Sequence, residues 1–162
     1  MKYRRLTLGE LKELESDFVK FLAANTVTSD DWVSLKSAKP EKAEQLIELF
    51  SDIVFEKVIG KVQFLEHRTT KDLRLFECLE DEIKLIGIKV VGVDAIDFSE
   101  KQSPEEMFTS FRAAPEGSVK MYSANKAYKN NDRSMELFEM MESGCLISEG
   151  ELYQTISEMA PS

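Results

Sequence analysis

The stretch "KVQFLEHRTTKDLRLFECLEDEIKLIGIKVVGVD", Lys61–Asp94, decides the fold. Val, Ile, Leu and Phe recur in it with a period of two, the spacing of half-buried strands. The polar breaks "RTTKD" and "EDE" divide it into three strands near 61–67, 73–79 and 83–92. If the first break turns about Thr70, Phe64 faces Phe76, Val62 faces Cys78 and Glu66 meets Arg74 as opposite charges. A turn through "EDE" then sets Phe76 against Ile86. Phe64, Phe76, Ile86, Ile88 and Val90 would share a face, expected to pack on a long helix beginning at Pro40. The other face would carry Leu65, Leu73, Leu75, Leu85 and Val91 among the polar Gln63, His67, Glu77 and Lys89. It is too apolar to be left wet, so it is expected to be covered by helices from 104–160 or used in a homodimer or partner contact.

Upstream the period is helical. "TLGELKELESDFVKFLAAN" opens with a capping box, Thr7 and Glu10, and places Leu8, Leu11, Leu14, Phe18, Phe21 and Leu22 on one side until Asn25 ends the helix. "TSDDWVSLKSAK" reads as a short helix capped by Ser29 and holding Trp32. Pro40 is the first helical position of "PEKAEQLIELFSDIVFEKVIG", whose apolar residues occupy so much of its circumference that it is expected to be the central buried helix.

Downstream, Ser103 caps and Pro104 opens a helix to about Ala113. "SVKMY" suits a short strand, and "SANKAYKNND" part turn and part helix. Asp132 caps a helix that Gly144 stops, and Ser148 with Glu151 suggest a second capping box before the last helix. The chain is thus expected to be one α+β domain over residues 1–162, helical over 1–60, an antiparallel sheet over 61–93 and mainly helical over 94–162. The sheet is a three- to four-stranded antiparallel meander packed with N-terminal and C-terminal helices.

The stretches "LAANTVTSDDW", "LIELFSDIVFEKV" and "GCLIS" resemble an uncharacterised family of small proteins from Bacteroidetes. That resemblance implies a bacterial cytoplasmic setting and carries no activity or functional residue.

Composition excludes more than it names. At 162 residues and a net charge of −9, the chain is disfavoured for general phosphate or anionic membrane binding. No apolar run reaches the roughly 20 residues of a membrane span. The N-terminus "MKYRRLTLGELKELES" lacks an apolar signal region, and two cysteines make no disulfide framework, so a reduced cytoplasmic protein is expected.

"SGCLISEGEL", between two helical runs, is spaced like a helix-turn-helix DNA reader. From residue 132 onward there is one basic residue, Arg133, against seven acidic ones, so double-stranded DNA is rejected in favour of an αα-hairpin packed through Leu137, Phe138, Met141, Leu146, Ile147, Leu152 and Ile156. His67 and Cys78 fall about five residues apart, roughly 16 Å, on opposite faces, which suits neither a nucleophilic dyad nor a metal pair. The acidic turn Glu80, Asp81, Glu82 lacks the spaced ligands of a calcium loop, and no phosphate loop is present. No catalytic residue, metal or cofactor is assigned.

Two basic-aromatic stretches remain. "MKYRR" supplies Lys2, Tyr3, Arg4 and Arg5. "KMYSANKAYKNN" supplies Lys120, Tyr122, Lys126, Tyr128 and Lys129 without an acid. Such patches fit an acidic protein partner or single-stranded RNA. The leading reading is a non-enzymatic cytoplasmic interaction or regulatory protein. The alternatives are an RNA-binding accessory protein using these patches, and an enzyme with an unrecognised pocket. Charge reversal at Lys120, Lys126 and Lys129 should abolish partner binding.

Overall fold

The computed structural model describes residues 1–93 and 96–159. Contacts divide the chain into two units, Met1–Gly60 and Lys61–Ser162.

The first unit contains four helices: α1 (Leu8–Glu13), α2 (Glu15–Ala24), α3 (Ser29–Ala38) and α4 (Pro40–Gly60). The Thr7–Glu10 capping box forms as the sequence predicts. The following run is not one helix, because Leu14 (φ −101°, ψ 18°) leaves helical geometry and separates α1 from α2. The cap of α3 is Thr28 instead of Ser29: Thr28 and Asp31 close a reciprocal box that Ser29 cannot make. Phe18, Phe21, Trp32 and Phe50 form the aromatic core, with ring centroids 5.0–6.1 Å apart where they touch. Buried Ser51 is satisfied twice, donating to the Ile47 carbonyl and accepting from the Leu6 N–H. Helix α4 is not enclosed all round, since Leu49, Ile53 and Val58 are exposed.

The second unit is built on a five-stranded antiparallel sheet in the order β4-β3-β2-β1-β5. Its strands are β1 (Phe64–Arg68), β2 (Asp72–Cys78), β3 (Glu82–Val90), β4 (Val119–Ala127) and β5 (Leu146–Ser148). Helices α5 (Pro104–Ala113), α6 (Arg133–Glu142) and α7 (Glu151–Met159) complete it. The meander is therefore present with more strands than expected. "VKMYSANKA" is one nine-residue strand and not a short strand followed by turn and helix. "LIS" is an edge strand paired with β1, so α6 and α7 do not form an αα-hairpin; Leu146 and Ile147 are exposed instead of core. Ser148 ends that strand, where its hydroxyl accepts from the Gly150 N–H.

Both predicted registers are off by one residue. Phe64 faces Glu77, Leu65 faces Phe76, and Leu75 faces Ile86. A one-residue slip exchanges the faces of a strand, so Phe64 and Phe76 point to opposite sides. The first face carries Phe64, Leu73, Leu75, Ile86, Ile88 and Val90, which form one core with Ile96, Phe98, Met107 of α5, and Leu152, Tyr153 and Ile156 of α7. The second face carries Leu65, His67, Arg74, Phe76, Cys78, Ile83, Leu85, Gly87 and Lys89. The four leucines proposed as one interaction surface are thus divided. Leu73 and Leu75 belong to the core, Leu65 is buried on the other face, and Leu85 is half-buried there. His67 and Cys78 share a face, against expectation. Arg74 pairs with His67 and lies four residues from Cys78, about 13 Å of strand, so the two still do not meet.

Helix α6 is fastened to the strand ends by its first residue. Arg133 donates to the carbonyls of Leu79 (3.1 Å), Val62 (2.6 Å) and Cys78 (3.2 Å), and the Tyr128 hydroxyl donates to Leu79 as well. The helix thereby overlies one end of the second face, where a cavity of about 290 Å³ is lined by Phe76, Ile83, Leu85, Ala124, Glu136 and Met140.

Candidate interaction site on the sheet

At the other end of the second face the residues become polar. Side chains on this face follow the ladder: Asp72 opposite Lys89 opposite Lys120, then Arg74 opposite Gly87 opposite Tyr122. Gly87 is required there. A Cβ built on it would lie 1.9 Å from Tyr122 Cζ, so the tyrosine ring rests on bare backbone. The Tyr122 hydroxyl donates to Asp72 (2.9 Å), whose other oxygen accepts from Arg74 Nε (3.3 Å). Burial pushes the tyrosine pKa up, and the neighbouring tyrosine raises that of Arg74. Asp72 is thus shared between Tyr122 and Arg74.

Lys89 and Lys120 are exposed and directly opposite each other across β3 and β4. Neither has an ion pair among the described residues. The candidate patch of residues 120–131 is therefore split in two. Lys120 and Tyr122 join Lys89 and Arg74. At the far end of β4, Lys126 pairs with the buried carboxylate of Glu136, which also accepts from the Lys129 N–H at 2.7 Å. Lys129 itself is exposed, but Tyr128 is buried, and its phenol is pushed up to about 12, chiefly by that burial.

Within the first unit, Lys2, Tyr3, Arg4 and Arg5 are brought together against acids. The backbone N–H groups of Lys2 and Tyr3 donate to Asp52, and Lys2 Nζ and the Tyr3 hydroxyl donate to Glu56. Arg4 makes a bidentate contact with Glu10 and lies over the Phe55 ring, and Arg5 reaches Glu44 at 3.9 Å. The Arg4 guanidinium lowers Glu10 to about 2. These cations are largely occupied in holding the N-terminal segment to α4.

Arg74, Gly87 and Lys89 escape a reading of the sequence because none stands near the 120–131 segment in the chain. The signal that finds them is the pairing of β3 with β4, which sets Lys89 opposite Lys120 and Gly87 beneath Tyr122. The two cysteines are buried thiols; burial raises Cys78 to about 11 and raises Cys145 too. Among the described residues no cluster of three His, Cys, Asp or Glu has the arrangement of a metal site, and no helix is long and apolar enough to cross a membrane.

No curated protein and no solved structure matches the chain. A family model does, over residues 1–161, and on that match the chain belongs to a family of unknown function, DUF6495.

Proposed function

We propose that this is a non-enzymatic interaction protein that binds an acidic segment of a partner protein at the Lys89–Lys120 end of its sheet. The carrying observation is two exposed lysines directly opposite each other in a chain of net charge −9. Like charges directly opposite destabilise a sheet. Asp72 stands opposite Lys89 on its other side but is already held by Tyr122 and Arg74, so it offsets the Lys89–Lys120 repulsion only in part. A partner carboxylate between the two lysines, in contrast, converts that repulsion into attraction and guides encounter. The setting that accompanies this reading is the cytoplasm of a bacterium, as the likeness to Bacteroidetes sequences implies.

Single-stranded RNA is the rival ligand, and it would use the same charges together with exposed rings. Of the four tyrosines, Tyr128 and Tyr153 are buried and Tyr3 is half-buried with its hydroxyl on Glu56. Tyr122 alone is exposed, and one ring is a poor stacking platform. That favours the acidic polypeptide.

The test is titration of the full chain with oligoglutamate and with oligouridylate over a salt series. Oligoglutamate should bind, more weakly as salt rises. Lys89→Gln with Lys120→Gln should weaken it about tenfold or more, by analogy with measured couplings of close interfacial charge pairs; neutral replacements avoid setting a carboxylate at 89 opposite Asp72. Lys126 is unsuitable for reversal, because a carboxylate there would face Glu136. Equal binding by the double variant, or preference for oligouridylate, would overturn the reading.

A further inference from the structure

Given the acidic-partner reading, on which this rests, we infer that the partner docks as an added antiparallel strand along β4, placing an apolar residue opposite Met121 and an adjacent acidic residue opposite Lys120. Three features of β4 converge on this.

The first is its edge, which is unpaired among the described residues. β4 is the terminal strand of the sheet, nine residues long, and exposed over nearly its whole length. The Val91 N–H donates to the Ser118 carbonyl. In an antiparallel ladder the bonded residues alternate, so Lys120, Tyr122, Ala124 and Lys126 bond to β3. The N–H and C=O groups of Met121, Ser123 and Asn125 then point outward, a template for one more strand. The opposite edge, β5, offers only three residues.

The second is charge. Lysines on an edge strand commonly serve to block unwanted pairing, and here they select among partners. Pairing of the whole strand with a second copy, centred on Ser123, sets Lys120 opposite Lys126 at two places. An acidic strand meets Lys120 favourably, with Lys89 behind it strengthening the attraction, while Lys126 keeps Glu136 as its own partner.

The third is an apolar anchor site. On the first face, beside the edge, a groove of about 510 Å³ is lined by six apolar residues, Met121, Ile88, Phe108, Phe111, Ile156 and Met159, and by one cation, Arg112. Met121 is 47% exposed there. Successive strand residues alternate faces, so the residue opposite Met121 turns toward this groove while its neighbour opposite Lys120 turns to the cationic face. An apolar–acidic pair of adjacent residues is thus the recognition element.

The probe is a blocked peptide as long as β4, rich in Thr and Val, carrying adjacent Leu and Glu at the positions that meet Met121 and Lys120. It is titrated calorimetrically into the full chain. Binding should weaken about tenfold or more when two of its edge-facing amides are N-methylated, since each lost bond is worth roughly fivefold. Ser123→Pro should weaken it similarly while leaving the fold intact, because the N–H removed points away from β3. Equal affinity for the methylated peptide would overturn strand addition while leaving the acidic-partner reading standing. Failure of both this peptide and oligoglutamate would overturn both. Self-association of the chain that Ser123→Pro abolishes would show a second copy on this edge and overturn the inference.

Discussion

Replacing Gly87 with alanine tests whether Tyr122 is seated on the sheet as described. A Cβ at Gly87 would lie 1.9, 2.3 and 2.4 Å from Cζ, Cε2 and Cε1 of the ring, against an ordinary contact of 3.4–4 Å. The ring must therefore retreat by about 1.5 Å or swing outward, losing its hydrogen bond to Asp72. Overpacking of this kind costs roughly 1–3 kcal/mol. Because Tyr122 is 37% exposed and has solvent to move into, the lower half of that range applies. Against it stands the intrinsic gain of alanine over glycine in a strand, roughly 0.5–1 kcal/mol. The packing loss wins, so Gly87→Ala should destabilise the protein by roughly 0.5–1 kcal/mol. In a Tyr122→Ala background the obstacle is gone and the same substitution should stabilise by roughly 0.5–1 kcal/mol. The sign of the effect reverses, and the coupling is about 1–2 kcal/mol. Urea unfolding of the four proteins, followed by circular dichroism, measures it. Equal effects of Gly87→Ala in the two backgrounds would refute the seating.

Gly150 has φ +82°, and a Cβ there would lie 2.4 Å from the Phe64 ring inside the core; Gly150→Ala should cost about 2–4 kcal/mol, read from the shift in unfolding midpoint. Arg133→Ala leaves the Leu79, Val62 and Cys78 carbonyls without their shared donor and should cost about 2–3 kcal/mol, whereas Arg133→Lys, lacking the planar fork, should recover only part of that. Glu10 has its folded pKa lowered from 4.5 to about 2, first by Arg4. Its contribution is therefore present above pH 4.5 and lost as pH falls toward 2. Solvent screening limits it to under about 1 kcal/mol, and an acid titration of stability should show that Arg4→Ala flattens this part of the curve.

The alternation in Lys61–Asp94 made the three central strands legible, because a period of two over so many residues has few other meanings. The capping signals were similarly direct: Thr7–Glu10 and Ser103–Pro104 mark helix starts through local bonds that no distant contact alters. Register was not legible at that precision. Both turns admit a neighbouring pairing, and what selects it is tertiary: Leu73 and Leu75 must join Ile86, Ile88 and the α5 and α7 side chains in the core. The full length of β4 escapes the sequence pattern because, after Val119 and Met121, Ser123, Ala124, Asn125, Lys126 and Ala127 present no apolar face. An edge strand with exposed side chains gives no hydrophobic period to detect. "LIS" gives no strand signal because three residues are too few to show a period, and its strand character comes from pairing with β1. The candidate site followed the same division. Lys120 and Tyr122 were visible as a basic-aromatic run, but their partners Lys89, Gly87 and Arg74 come from other strands.

Amide hydrogen exchange along β4, with and without the Leu-Glu probe peptide at saturation, addresses the central claim most directly. In the protein alone, the amides of Met121, Ser123 and Asn125 should exchange quickly, and those of Tyr122 and Ala124, bonded to β3, slowly. With the peptide bound, the three outward amides should become protected together. Peptide bound at saturation with Met121, Ser123 and Asn125 still exchanging at their original rates would contradict the account.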